Sequence, residues 1–169
     1  MRVLGIDPGT TQAGWAILDL TEHSISEFCI DRIASGSIVP PKSKDYLLRL
    51  RHIFGVLTMV MHDIPQDDRP TCLAIENQFA GKNMNTGIKI GKAAGVMIGW
   101  GYMWELEPTE CTVQQWKKGV IGKGNATKAE VAEVVRERFV LGDDLEQDEY
   151  DAIAIAWWHA ERSMREGTE

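Results

Sequence analysis

Disulfide chemistry is the first thing this chain lacks. Its 169 residues hold three cysteines, Cys29, Cys72 and Cys111, widely separated and with no CxxC pair. Such a set makes no disulfide framework and no thiolate metal site, and reads as buried thiols in a reducing compartment. Histidine is also scarce: His23, His52, His62 and His159 show no ligand spacing, so nothing points to zinc. Long apolar runs are missing, since the longest, residues 93–106, is interrupted by glycine and falls short of a membrane span. The opening Met-Arg-Val-Leu-Gly-Ile-Asp is too short and too soon charged for a signal peptide. The expectation is a cytoplasmic protein with no membrane partner. Repeats, low-complexity tracts and interdomain linkers are absent too, so residues 1–169 are read as one domain.

An excess of positive charge is lacking as well. The formal net charge is −7, which taken whole counts against a nucleic-acid partner. The distribution is uneven. Residues 1–80 carry 10 acids and 7 bases, residues 81–128 carry 3 acids and 7 lysines, and residues 129–169 carry 12 acids and 4 arginines. A lysine-rich middle third therefore sits inside an acidic chain, and local asymmetry matters more than the total. Hydrophobic residues at 44% and charged residues at 25% describe a globular chain with a sizeable core.

The pattern along the chain predicts strands over 2–7, 14–20 and 27–35, the first two joined by a short turn into an antiparallel hairpin. Leu47, Leu48, Leu50, Ile53, Phe54, Leu57, Val60 and Met61 recur at helical spacing over 45–62. A short apolar strand follows at 71–76, expected to be central and parallel to the first. Residues 84–104 read as one helix with a face of small residues, 108–113 as a last strand, and 114–125 as a loop or short helix. Two further helices are expected over 127–139 and 145–162. This order gives an α/β protein with a mixed five-stranded sheet flanked by helices, the ribonuclease H-like architecture.

Four carboxylates stand where such a fold gathers chemistry. Asp7 closes the first strand before Pro-Gly-Thr-Thr, and Glu76 closes the fourth, at the carboxyl end of the sheet. Asp148 and Asp151 are i, i+3 on the last helix and point the same way. Beyond them Ala152 to Trp157 is almost wholly apolar, so this helix is buried. Asp148 taken alone reads better as an N-terminal charge on the helix dipole, and Asp7 can also be a structural turn residue, whereas Asp151 lies a turn in, just before the buried stretch, and needs a partner. Converging acids would repel one another unless cations neutralised them. An oxygen-only ligand set suits Mg²⁺ or Mn²⁺, and two ions per site would suit phosphodiester cleavage. Lys128, opening a helix after a polar loop, is either an exposed lysine or a group that meets the phosphate or positions water. Phe79 is either a core plug or an aromatic that stacks on an unpaired base.

These segments resemble the RuvC family of Holliday-junction resolvases over nearly the whole chain. Leu4 to Thr10 is similar to the family's opening strand and first catalytic Asp. Glu76, Phe79, Lys82 and Asn83, then Gly91, Ala94 and Gly95, resemble its second acidic motif, base-contacting aromatic and dimer helix. Lys117, Gly122, Gly124, Ala126 and Lys128 match its basic loop and active-site lysine, and Asp148-x-x-Asp151-Ala-x-Ala-x-Ala156 its paired acids. The resemblance implies a Mg²⁺-dependent homodimer that opens four-way DNA junctions and nicks two symmetric strands, leaving 5′-phosphate and 3′-hydroxyl ends. It implies metal ligation by Asp7, Glu76, Asp148 and Asp151, with Lys128 beside them. Bases at the crossover would meet Phe79, and the DNA would be held by Lys82, Asn83, Lys89, Lys117, Lys118 and Lys123. Gly91, Gly95 and Gly99 would form the dimer interface. Three features depart from the family pattern: the acidic net charge, the polar run Glu-Asn-Gln-Phe-Ala-Gly, and Trp116 beside Lys117 and Lys118. The readings left beside it are a nuclease of the same fold acting on flaps or RNA–DNA hybrids, and a non-catalytic DNA-structure-binding protein. Actin-like nucleotide hydrolysis ranks last, since the chain is short for two lobes and has no second phosphate loop.

Overall fold

A computed structural model describes residues 1–24, 27–43, 45–77 and 84–167, leaving aside the side chains of 21–32 and 167. Strands β1 (Arg2–Asp7), β2 (Ala13–Ser24) and β3 (Glu27–Ile38) come first, followed by helix α1 (Tyr46–Asp63). Next come β4 (Cys72–Glu76), α2 (Met84–Met103), β5 (Glu107–Cys111), α3 (Val113–Ile121), α4 (Lys128–Phe139) and α5 (Gln147–Gly167). The five strands form one sheet in the order β3-β2-β1-β4-β5. The β1–β2 and β2–β3 pairs are antiparallel, whereas β1–β4 and β4–β5 are parallel. The expected mixed sheet is therefore present, with β1 and β4 at its centre.

Element boundaries move for local reasons. β2 runs beyond the apolar pattern to Ser24 because its pairing continues through polar residues out to Glu27, and β3 extends at its other end to Ile38 because Gly36, Ser37 and Ile38 pair with Trp15, Gly14 and Ala13. The segment read as a loop or short helix is helical over its first part. Thr112 accepts from the Gln115 amide while the Gln115 side chain accepts from the Thr112 amide, and Gly122 ends the helix in the left-handed region at φ 86°. The same reciprocal cap, Thr127 with Glu130, starts α4.

Alternation along the central strands divides the core in two. Leu4, Ile6, Leu73 and Ile75 face α1 and α2, packing with Ile53, Leu57, Met97 and Trp100. Val3 and Ala74 face the other way, into a cluster with Trp116, Val131, Val135, Ile153 and Ala156 from α3, α4 and α5. The period of two then sends Asp7 and Glu76 to this second face. Helix α5 lies very close to the sheet there. A Cβ on Gly5 would stand 2.2 Å from the Ala152 carbonyl oxygen, and one on Gly14 would stand 1.9 Å from that of Asp148. No helix among the described residues is long and apolar enough to cross a membrane.

This packing predicts opposite outcomes for two glycine-to-alanine changes. Gly5→Ala should lower unfolding free energy by about 1–3 kcal/mol, because backbone must move. Gly55→Ala, in α1 with no neighbour within 4 Å of the added carbon, should raise it by roughly 0.5–1 kcal/mol through helix propensity. Urea denaturation of both variants checks the contrast.

Candidate active site

Strand β1 brings Asp7 to the carboxyl edge of the sheet, beside the first turn of α5. One carboxylate oxygen from each of Asp7, Asp148 and Asp151 lies within 4.8 Å of the other two. The start of α5 is held in place by Glu149, a residue the sequence reading did not single out. Its carboxylate accepts from the Ser35 hydroxyl at 2.7 Å and reaches back to the Glu146 amide at 3.3 Å. Helix and sheet are thereby tied together where the acids meet.

Glu76 sits at the rim of this group. It ends β4, one residue past the Ile6–Ile75 pair, and is 3% exposed. Its charge acts on both Asp7 and Asp151. Its Oε2 accepts a hydrogen bond from the Trp116 indole at 2.8 Å. The four acids named from the sequence are thus neighbours, three in a tight group and the fourth engaged from the side.

Lys128, the first residue of α4, places its ammonium 3.6 Å from Asp148 and 3.7 Å from Asp151. Partial burial works against its charge, but Asp151, Asp148 and Asp7 outweigh that and hold its pKa above the usual lysine value. The acids respond in the opposite sense. Burial, with the charges of Glu76, Asp151 and Asp148 added, pushes Asp7 well above the ordinary carboxylate range. Burial pushes Asp151 up to about 6 although Lys128 and Lys117 pull it down. Two lysines, one indole donor and a long Gln147 contact of 3.4 Å are little compensation for four carboxylates. An all-oxygen donor set carrying this surplus fits a hard divalent cation.

A cleft of about 440 Å³ opens beside the acids, lined by Asp7, Thr10, Arg49, Thr86, Lys89, Lys128 and Asp148. Lys89 of α2 therefore lines the cleft beside the acids. Arg49 had no local signal in the sequence; it comes from α1 and donates to the Ser43 carbonyl at 2.9 Å. A second groove of about 600 Å³ runs along Asn77, Thr112, Gln114, Lys117, Gly124 and Asn125. Lys117 lies there with its ammonium on the Ala126 carbonyl at 2.6 Å. Lys118 is exposed on α3, and Lys123 is ion-paired with Glu130. Phe79, Lys82 and Asn83 lie outside the described residues. Gly91, Gly95 and Gly99 share an exposed face of α2 with nothing within 4 Å of an added Cβ.

Comparison with known proteins agrees with this geometry. A family model described as crossover junction endodeoxyribonuclease RuvC matches residues 3–159. A protein of that name from Geotalea uraniireducens is 31% identical over 167 residues, covering 99% of this chain and 92% of its own. Another from Geobacter metallireducens is 33% identical over 160 residues, covering 95% and 92%. Among solved structures, Thermus thermophilus RuvC in complex with a Holliday junction substrate superposes with a TM-score of 0.82 at 25% identity, covering 98% of this chain and 96% of that one. The fold is thus the ribonuclease H-like fold of that structure.

The electrostatics carry a pH prediction with a definite sign. Asp151 binds a proton more tightly folded than unfolded, so its protonation stabilises the metal-free protein fully below about pH 4, and that gain is lost as pH rises through about 6. Asp151→Asn removes the charge. Relative to wild type, the metal-free variant should gain about 2–3 kcal/mol between pH 4 and 7.5. Mg²⁺ should raise the melting temperature of wild type at pH 7.5 far more than at pH 5, and that of the variant little at either. Thermal melts with and without Mg²⁺ or EDTA measure all of these.

Proposed function

The chain belongs to the RuvC family of crossover junction endodeoxyribonucleases, and from that premise we propose that it resolves four-way DNA junctions by paired symmetric nicks leaving 5′-phosphate and 3′-hydroxyl ends. The observation that carries this reading is the convergence of Asp7, Asp148 and Asp151, with Glu76 beside them, at the edge of a cleft bearing Arg49, Lys89 and Lys128.

Asp7, Glu76, Asp148 and Asp151 are in this reading the ligands of two divalent cations, Mg²⁺ with Mn²⁺ as a substitute. When bound, such ions supply an activated water and neutralise charge on the phosphate and leaving oxygen. The protein's own groups do the rest. Asp7 and Asp151 must give up their protons before they can ligate, and this sets the lower pH limit of activity. Lys128, tethered to Asp148 and Asp151 in the free protein, turns to the scissile phosphate and replaces two carboxylate partners with a phosphate oxygen. Arg49 and Lys89 hold the strand on one side of the acids, and Lys117 and Lys118 on the other. Lys82, Asn83 and Lys123 extend the backbone contacts, and Phe79 stacks on a base at the crossover.

The exposed α2 face supports a homodimer. Gly91, Gly95 and Gly99 make it flat, and the large apolar residues Met84, Ile88, Tyr102 and Met103 on this helix are all at least 50% exposed. Two copies joined there would present two sites to the two symmetric strands of one junction. The cytoplasm is the compartment that matches this substrate.

The test is cutting of an immobile four-way junction beside duplex, flap and RNA–DNA hybrid, with Mg²⁺ or EDTA. Wild type should make paired nicks in the junction only with metal, and Asp7→Asn should bind it unchanged yet cut at least about 1000-fold more slowly. Equal cutting of flaps or hybrids would overturn junction selectivity, and cutting by Asp7→Asn at the wild-type rate would overturn the site. Gly95→Glu should convert the dimer to monomer by light scattering and uncouple the paired nicks.

A further inference from the structure

We infer that Trp116 is a positioning residue for Glu76, holding one oxygen of that carboxylate so that the other faces the remaining acids. The inference rests on the reading of Glu76 as a metal ligand given above. The contact follows from how the chain is laid down. Glu76 at the end of β4 pairs with Cys111 at the end of β5. Only Thr112 separates Cys111 from α3, and its reciprocal cap fixes the direction of the helix's first turn. Trp116 is the fourth residue of α3 and so points back over the edge of the sheet, straight at Glu76.

The chemistry of the pair is one-sided. The indole is a donor with no acceptor, so it engages only a lone pair of Oε2, at 2.8 Å. Trp116 is 1% and Glu76 3% exposed, so no water competes for the bond. The ring itself is immobilised. It packs in the core cluster with Ala126, Val131 and Val135, and the Lys117 ammonium lies 5.4 Å from its centroid. A rigid ring with a single donor fixes the carboxylate's orientation. Carboxylates that ligate metals are commonly held by such outer hydrogen bonds, and losing one weakens metal binding. Trp116 touches neither metal nor DNA in this account; it acts through Glu76.

Two readouts test the assignment. In ¹⁵N-labelled full-length protein with indole signals assigned by triple resonance, the Trp116 indole proton should move upfield in Glu76→Gln. In wild type it should shift as Mg²⁺ is added. An indole signal indifferent to either change overturns the inference. In nicking assays, Trp116→Phe should raise the Mg²⁺ concentration for half-maximal rate by about tenfold or more, while junction affinity in Ca²⁺ stays at the wild-type value. A wild-type Mg²⁺ curve for this variant also overturns it. Should wild type cut no junction, the proposed function fails while the spectra still decide whether Trp116 reads metal at Glu76. Should Trp116→Phe not fold, the spectra of wild type and Glu76→Gln decide alone.

Discussion

The close approach of α5 to the sheet is the constraint on which the rest depends. Gly5 on β1 and Gly14 on β2 have no side chains, so the helix backbone at Ala152 and Asp148 comes to rest almost on the strands. Had either position carried a side chain, the helix would be lifted by an ångström or more, and Asp148 and Asp151 would withdraw from Asp7. The alanines at 152 and 156, one turn apart and fully buried, present only a methyl group to the strands there, and an added Cβ on Gly5 would meet both residues. Small residues at this seam contribute little hydrophobic energy of their own. They allow carboxylates from two distant parts of the chain to stand within 4.8 Å of each other, close enough to share a cation.

That proximity is unfavourable until something positive arrives. The fold tolerates it because its large core supplies stability elsewhere, in two layers on either side of β1 and β4. Lys128 offsets part of the repulsion from a position reached by α4, whose cap at Thr127 and Glu130 sets where the helix begins. The same lysine is exposed enough to leave. The free protein thus carries a cation of its own at the acids, and in the proposed function metal ions take over its neutralising role. The acidic total of the chain is then no obstacle to a nucleic-acid partner, since Arg49, Lys89, Lys117 and Lys128 line the two clefts beside the acids.

Asp7, Glu76, Asp148 and Asp151 were legible in the sequence because each interrupts an apolar pattern at its end, where period-two and period-3.6 regularities reveal the break. The β1–β2 hairpin and a fourth strand parallel to the first followed from turn length and the alternation of strand and helix. Trp116 was legible only as an oddity beside two lysines, and Glu149 and Arg49 not at all. Their partners, Glu76, Ser35 and Ser43, are set by strand register and helix direction, and no local pattern encodes those.

The sequence by itself determined which residues could be acids of a metal site, which segments would be buried, and which family the chain resembles. These depend on side-chain chemistry and on short-range periodicity, both present before folding. Only the tertiary structure decided that three acids would form a tight group while the fourth turned to an indole, and that Lys128 would stand between Asp148 and Asp151. Those outcomes depend on distances of a few ångströms between elements remote in the chain, and packing at glycine and alanine contacts sets them.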